Sequence, residues 1–171
     1  MRHMTGCLFT VVSFLAGFSG AAGAVQSEIV GVWQLVSYSR YSAEENQTTF
    51  PFGANPAGYL IYTASGYMSI VVTGEGRPAV SPTDNKLDEK QSKLFATMIA
   101  YSGTYKLDGD KVTHHLDVAW HPTRAGADQT RYIKVEGDTL SLRTPPFKSL
   151  LDGKGKEFTD TLNWRRAPAN K

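Results

Sequence analysis

The chain has 171 residues, of which 41% are hydrophobic, 20% charged and 11% aromatic, a composition that fits one globular domain and excludes a disordered or collagen-like chain. Eighteen lysines and arginines oppose 16 aspartates and glutamates, for a formal charge of +2 without a block of like charge, so we expect no nucleic-acid partner. The single cysteine, Cys7, excludes an intrachain disulfide and a thiolate metal cluster.

Residues 1–24 have the pattern of an export signal. Arg2 provides the positive charge, residues 8–18 form an apolar stretch, and positions 22–24 read Ala-Gly-Ala, as a cleavage site does. Because this stretch is shorter than the roughly 20 residues that cross a bilayer, we expect cleavage rather than lasting membrane insertion. The predicted mature domain, residues 25–171, has 147 residues, 17 basic and 16 acidic side chains and no cysteine. We expect it to be periplasmic or secreted, and to depend on one continuous core for stability.

In most segments after the predicted signal, the apolar pattern has a period of two, which indicates strands. Residues 32–38 are rich in β-branched and aromatic side chains and predict a first strand. Two prolines and a glycine in 50–56 predict a loop. Segments 59–63 and 67–72 flank a short turn with a glycine, and together they predict a β-hairpin.

One helix is predicted, over residues 82–100. Ser81 is suited to cap it, Pro82 fits its first turn, and Asp84 completes a Ser-x-x-Asp capping pattern. The apolar residues that share one side at helical spacing are Leu87, Leu94, Phe95, Met98 and Ile99. A helix with one apolar side has to cover a surface, and we expect this helix to lie against the strands.

Strands resume after Gly103, and glycine-containing turns connect them. The predicted strands are 104–107, 111–119, 129–136, 139–144 and 158–166. With the earlier segments they make about eight sequential strands with one helix in a single domain. This order predicts an all-β, up-and-down antiparallel β-barrel or a sandwich, because closing a sheet removes its exposed edges.

Three features together resemble the lipocalin-like (calycin) proteins. They are Gly31-Val32-Trp33 on the first strand, the meander of about eight strands, and Trp164-Arg165 on the last strand. In that superfamily the tryptophan of Gly-x-Trp closes the barrel bottom, and an arginine from the final strand packs across it. The resemblance therefore implies a closing set of Gly31, Trp33 and Arg165. The sequence leaves Arg166 open as the arginine over Trp33, and adjacency to Trp164 favours Arg165.

A wider set of segments is similar to the bacterial and fungal lipocalin-like domain family, over nearly all of residues 29–166. These segments are 58–63, 66–69, 76–78, 101–105, 114–115, 131–132 and 140–146. The resemblance implies a barrel with an internal cavity and no general catalytic assignment. The disulfides of secreted animal lipocalins have no counterpart here, so their ligand preferences do not carry over.

His114 and Arg131 are the predicted polar anchors of that cavity. Strand alternation puts His114 on the apolar side of 111–119, and it puts Arg131 on the same side of its strand as Ile133. A buried arginine needs acceptors, so these residues suit the carboxylate or carbonyl group of an otherwise apolar ligand. The alternative is structural: an arginine paired within the barrel, and a core histidine with satisfied hydrogen bonds.

Tyr62 and Tyr105 are further candidates for ligand contact, although aromatic residues in strands commonly serve packing. No metal or haem is expected, because the adjacent His114 and His115 point to opposite faces of a strand and cannot easily share an ion. His121 stands apart from both in the sequence. We therefore predict no cofactor.

No catalytic residue is assigned, because the sequence has no Gly-x-Ser-x-Gly elbow, phosphate-binding glycine loop or His-Glu-x-x-His. The leading hypothesis is an exported, monomeric or weakly oligomeric barrel that binds a small, largely hydrophobic molecule. One rival is a cavity-based isomerase or cyclase, in which His114 works with Asp160 or Tyr105. Another is a non-catalytic structural module with a filled barrel.

Overall fold

The computed structural model of the chain describes residues 28–79, 89–148 and 155–169. The predicted export signal, residues 1–24, lies outside the described residues, as does the first part of the predicted helix, residues 82–88. None of the helices in the described ranges has the length and apolar character needed to span a bilayer.

Ten strands and the α-helix Glu89–Ala96 follow one another along the described ranges, which begin with two helical residues, 28 and 29. The strands are β1 Gly31–Ser42, β2 Gln47–Thr49, β3 Ala57–Tyr62, β4 Tyr67–Thr73, β5 Met98–Asp108, β6 Lys111–Ala119, β7 Asp128–Glu136, β8 Thr139–Arg143, β9 Phe147–Lys148 and β10 Glu157–Arg166. The helix, α1, is Glu89–Ala96, and a 3-10 turn covers Pro122–Arg124.

Eight of these strands form a closed ring in the order β1, β3, β4, β5, β6, β7, β8 and β10, and β10 pairs back onto β1. All the pairings are antiparallel. The two short strands lengthen the rim, since β2 pairs with the end of β1 and β9 with the start of β10. The structure confirms the predicted up-and-down β-barrel with one helix.

The helix ends earlier than its predicted span of 82–100. It stops before Thr97, whose backbone N–H donates to the carbonyl of Lys93 at 3.0 Å. Met98 and Ile99, predicted to lie on the apolar side of the helix, are the first residues of β5 and pair with β4. The predicted C-terminal end was wrong because this short apolar run fits both periods, and strand pairing with β4 decides between them.

The core lies inside the ring. Inward positions of the strands carry buried apolar side chains, among them Leu60, Met68, Ile70, Val72, Val112, Leu116 and Leu140. The alternate positions Tyr59, Ile61 and Val71 are exposed on the outer wall. Since burial alternates with a period of two, a polar side chain at an inward position lies within an apolar environment.

Trp33 and Arg166 close one end of the barrel. Trp33 is fully buried, and its indole Nε1 donates to the carbonyl of Ile29 at 2.8 Å. The guanidinium carbon of Arg166 lies 4.2 Å from the centre of the Trp33 ring, and its Nη atoms donate to the carbonyls of Val30 and Glu28. The ring thus has a cation on one face, and that cation is held by backbone acceptors and by the exposed Asp138, whose carboxylate lies 3.4 Å from Nε of Arg166.

The prediction that Arg165 covers Trp33 was wrong. Trp164 points inward on β10 and is 1% exposed, so alternation sends Arg165 to the outer wall and Arg166 inward. The predicted role of Gly31 has a geometric reason. Its φ is 139°, and a Cβ at this position would lie 2.8 Å from Nη1 of Arg166. A side chain there would displace the arginine from the tryptophan ring.

Candidate functional site

His114 of β6 lies in the middle of a hydrogen-bonded group of side chains inside the barrel. It is fully buried, between the inward Val112 and Leu116 of its own strand. The hydroxyl of Tyr62, from β3, lies 2.7 Å from Nε2 of His114, and the hydroxyl of Tyr101, from β5, lies 3.1 Å from Nδ1. We call Tyr62, Tyr101 and His114 the neutral cluster, because none of the three side chains is charged at neutral pH.

Burial, together with the positive charge of Arg131, lowers the pKa of His114 from 6.5 to about 3. Burial also raises the pKa of both Tyr62 and Tyr101. The desolvation cost of a charged imidazole or phenolate in this apolar interior explains both directions. At neutral pH the cluster therefore consists of an uncharged imidazole between two uncharged phenols.

Tyr105 lies directly opposite His114 in the pairing of β5 with β6. Its hydroxyl donates to the backbone carbonyl of Thr63 at 2.8 Å, and its ring packs edge-on against Tyr62 with 4.8 Å between centroids. The structure thus places both predicted tyrosines beside His114. The hydroxyl of Tyr105 already has an acceptor, so this residue forms part of the wall around the cluster.

Arg131 of β7 is an inward residue that stays accessible. Arg131 pairs with Val112 of β6, and Gln129, two positions before it, pairs with His114. Arg131 is therefore diagonal to His114 across the two strands. Long side chains reach each other at that separation. The arginine is half-buried, and its guanidinium donates to Oε1 of Gln129 at 2.6 Å and to the carbonyl of Thr130 at 2.9 Å.

Both of these acceptors are neutral. Arg131 makes no ion pair with any side chain in 28–79, 91–148 or 155–169. The predicted anchors His114 and Arg131 thus lie together on the inner wall. An accessible guanidinium group without a carboxylate partner in the described chain is able to bind an anion or a carbonyl oxygen.

A second group of polar residues, which sequence reasoning did not find as a unit, lies on β1 and β10. Asp160 accepts two hydrogen bonds from Arg40, from Nε at 2.7 Å and from Nη2 at 2.8 Å, and it accepts a third from the hydroxyl of Tyr38 at 2.7 Å. The rings of Phe147 and Phe158 lie 5.4 and 5.3 Å from the guanidinium carbon. We call Tyr38, Arg40 and Asp160 the ionic cluster.

The ionic cluster corrects one sequence-based alternative. Asp160 was considered as an acid–base partner of His114, but its carboxylate is occupied by Arg40 and Tyr38. The pair joins residues 120 positions apart, which no local pattern reveals. Tyr101 was also missed, although the sequence held a signal for it: it lies four positions before Tyr105, which puts both on the same face of a strand.

The other histidines lie away from the neutral cluster. His115 is partly exposed, and its Nδ1 lies 2.7 Å from a carboxylate oxygen of Asp128. Nδ1 of His121 lies 2.9 Å from the hydroxyl of Thr123. Within the described residues, no group of three or more histidine, cysteine, aspartate or glutamate side chains is placed to hold a metal ion.

Two grooves open on the barrel wall. The larger, about 290 Å³, runs along the outward residues of β7, β8 and β10, among them Lys134, Glu136 and Arg165. The second, about 220 Å³, lies on β4, β5 and β6, between Val71 and Val118. Both consist largely of outward residues, and neither contains His114 or Arg131. We place the candidate site at the inward pair, because that is where polar groups lack charged partners in an apolar environment.

The closed eight-stranded antiparallel ring, with Trp33 and Arg166 across one end, defines a calycin-type β-barrel. A family model described as a lipocalin-like domain matches residues 30–167, and the chain belongs to this family. No curated protein matches the sequence. One solved structure that the chain matches is "Structure of EF1p2_mFAP2b bound to DFHBI", with 16% identity and a TM-score of 0.42, covering 87% of this chain and 100% of that one.

Proposed function

We propose that the mature chain, residues 25–171, is exported and binds a small, largely hydrophobic molecule inside the barrel. The observation that carries this proposal is Arg131, an accessible cation on the inner wall with only neutral acceptors in the described chain. The apolar residues around it suit the body of such a molecule, and Arg131 with the neutral cluster suits its polar end. Export rests on the signal-like pattern of residues 1–24.

The pKa values of the neutral cluster favour a binding protein over an isomerase or cyclase. A general acid or base works best when its pKa lies near the working pH. The pKa of His114, about 3, makes its imidazole a weak base, and the raised pKa of Tyr62 makes its phenol a weak acid. The neutral cluster is therefore better suited to hold a polar group than to transfer protons.

A filled, purely structural barrel is also less well supported. Burying charge without a paired counter-charge is costly, and the two inward arginines with structural roles each have an acidic partner, Asp160 for Arg40 and Asp138 for Arg166. The ionic cluster shows how this same fold pairs an inward arginine when the charge is structural, with a bidentate carboxylate.

The test is native mass spectrometry of the protein purified from its own host. We expect a retained small molecule, and we expect the intrinsic fluorescence to change when fatty acids, retinoids or aromatic acids are added to the ligand-free protein. Trp33 at the closed end and Trp120 near α1 are the reporters. Ligand-free protein from the host, with no change in fluorescence across the whole panel, would contradict binding.

Export has its own test. Cell fractionation followed by N-terminal sequencing should find the chain outside the cytoplasm and starting at or near Val25. Full-length chain confined to the cytoplasm would contradict export, and it would leave the proposed binding to be judged on the first experiment.

A further inference from the structure

One side of the outer barrel wall carries no charge. The outward positions of β3 and β4 have only apolar or hydroxyl-bearing side chains, which are Ala57, Tyr59, Ile61, Tyr67, Ser69, Val71 and Thr73. Tyr59 and Tyr67 are more than half exposed. The opposite side, on β7, β8 and β10, is highly charged, with the exposed residues Lys134, Glu136, Arg143 and Arg165.

The uncharged side chains form a continuous patch, because strand pairing puts them side by side. Tyr59 lies opposite Val71, and Val71 lies opposite Ala100 of β5. The neighbouring row spans five strands and consists of Val32, Ile61, Ser69, Ser102 and Val118. Five strands at about 4.8 Å spacing make a patch about 20 Å wide. We call these two rows the apolar face, and exposed apolar patches of this kind mark contact surfaces.

A partner of the apolar face has to bind through side chains. Each strand of the closed ring is paired on both sides, so the face has no free edge to which a strand could add. The face also has no charge for nucleic acid or for an anionic lipid surface. Its two serines, Ser69 and Ser102, hydrogen-bond to each other at 2.8 Å, which lowers the cost of burying them. These properties fit an apolar protein surface.

The shape of the face indicates which protein surface fits it. In both rows a large side chain lies on the β3 side of β4 and a small one on the β5 side. Tyr59 and Val71 are followed by Ala100 in one row, and Ile61 and Ser69 by Ser102 in the other. The small residues Ala100 and Ser102 line the groove of about 220 Å³ on β4, β5 and β6. The face therefore has a ridge along β3 and a groove along β5.

We propose that the apolar face binds a second copy of the chain, around a two-fold axis that runs along β4 between the two walls. Such an axis leaves β4 opposite itself and brings β3 of each copy over β5 of the other. The ring of Tyr59 in one copy then fills the space above Ala100 in the other. In the next row Ile61 lies over Ser102, and at the axis Val71 meets its own counterpart. Only the outer wall is used, so each copy keeps its own interior site.

The size of the apolar face predicts a weak, reversible dimer. Its two rows contain eight residues, whereas a standard interface takes about 20 to 30 residues from each partner. Interfaces well below that size belong to transient complexes. We therefore expect a dimer Kd on the order of 10 to 100 µM.

The experiment is sedimentation velocity of the protein purified from its own host, at about 5 to 500 µM, so that the series spans the expected Kd. The sedimentation coefficient should rise from that of a monomer to that of a dimer. Val71→Lys puts a charge beside its own symmetry mate, so it should raise the dimer Kd about tenfold or more, and so should Val71→Glu. An equimolar mixture of the two variants should restore the dimer, because opposite charges then meet at the axis. Restoration also shows that both variants are folded.

Ser141→Lys is the matched control. Ser141 is an outward residue of β8, which lies four strands from β4 in either direction around the ring, so the same added charge should leave the dimer Kd unchanged. Ala100→Phe tests the fit. It adds apolar surface but fills the space that Tyr59 of the other copy needs, so it should weaken the dimer about tenfold. General apolar association would instead become stronger.

Several outcomes overturn the proposal. They are a wild-type chain that stays monomeric up to about 500 µM, a dimer that survives Val71→Lys, a stronger dimer of Ala100→Phe, and a mixture of the two charged variants that stays monomeric. Vesicles of phosphatidylcholine test the alternative occupant. If a monomeric wild type sediments with these vesicles and Val71→Lys does not, the face contacts lipid, and a second copy is the wrong partner.

Discussion

The two polar clusters inside the barrel avoid the cost of burying an uncompensated charge in opposite ways. In the ionic cluster, Arg40 and Asp160 keep opposite charges and neutralise each other through two parallel hydrogen bonds, with Tyr38 as a third member. In the neutral cluster, burial removes the charge, since the pKa of His114 falls to about 3. The first cluster is closed because every strong acceptor in it is used. Beside the second lies Arg131, which has only neutral acceptors among the residues that the structure describes.

This difference separates a structural group from a candidate site. A buried ion pair that satisfies itself has no remaining need for a ligand, and replacing one partner is costly because the other is left without its counter-charge. The neutral cluster lies next to Arg131, and Arg131 has no carboxylate partner among the described residues. Its guanidinium is therefore able to accept a ligand. Variants in each cluster should therefore differ in what they change: folding stability in the first, and ligand affinity and pH response in the second.

The largest effect is expected from Asp160→Asn in the ionic cluster. The change leaves Arg40 without its counter-charge, and breaking a buried pair costs about 3 to 5 kcal/mol. The side chain of Arg40 is 27% exposed, so solvent relieves part of this and we expect a loss of about 3 kcal/mol in the free energy of unfolding. Urea denaturation measures it.

Glu136→Gln is the control for that variant, since it breaks the exposed pair between Lys134 and Glu136 on the outer wall. Exposed pairs contribute less than about 1 kcal/mol. Similar losses for the two variants would show that the Arg40 and Asp160 pair behaves as a surface contact, and would remove the contrast between the clusters.

A somewhat smaller loss is expected at the closed end, where an inward arginine has a ring and backbone carbonyls as its main partners. Arg166→Ala removes the contact with Trp33, two hydrogen bonds to backbone carbonyls and the ion pair with the exposed Asp138, and we expect a loss of about 2 kcal/mol. Arg165→Ala is the matched control on the adjacent, exposed position and should change stability by less than about 0.5 kcal/mol. Thermal unfolding of both variants measures the difference, and equal effects would contradict the role of Arg166.

The sequence predicted the fold better than the site. Period-two alternation and the short turns predicted the closed meander, and the same alternation placed His114 and Arg131 inward. Applied to β10 with Trp164 as the reference, it also selects Arg166, so the error at Arg165 came from giving adjacency more weight than alternation. The ionic cluster could not be predicted from the sequence, because β1 and β10 meet only when the barrel closes. The residue pattern along each strand does not show which residues of the two strands lie opposite each other.

The next prediction concerns the pH dependence of stability at His114. An unfolded histidine binds a proton below about pH 6.5, whereas the pKa of native His114 is about 3, so the unfolded state binds more protons between these values. Stability should therefore fall as the pH drops from 6.5 towards 3, by up to about 1.4 kcal/mol per pH unit from this one group. His114→Gln keeps one donor and one acceptor but does not titrate.

The measurement is the free energy of unfolding between pH 7.5 and 4.5 for both proteins. The wild type should be the more stable at pH 7.5, and its advantage over His114→Gln should shrink steadily below about pH 6.5. Parallel pH curves for the two proteins would show that His114 titrates normally in the native state, and would contradict the neutral character of its cluster.

The smallest expected effect is the difference between two phenol deletions, one in each cluster. Tyr38→Phe removes a hydrogen bond to the charged Asp160, and Tyr62→Phe removes one to the neutral His114. Hydrogen bonds to charged groups contribute about 1.5 to 3 kcal/mol and neutral ones about 1, so Tyr38→Phe should be more destabilising by about 1 kcal/mol. Urea denaturation at pH 7.5 resolves this difference. A larger loss for Tyr62→Phe would mean that the neutral cluster, and not the ion pair, is the stronger structural element of the interior.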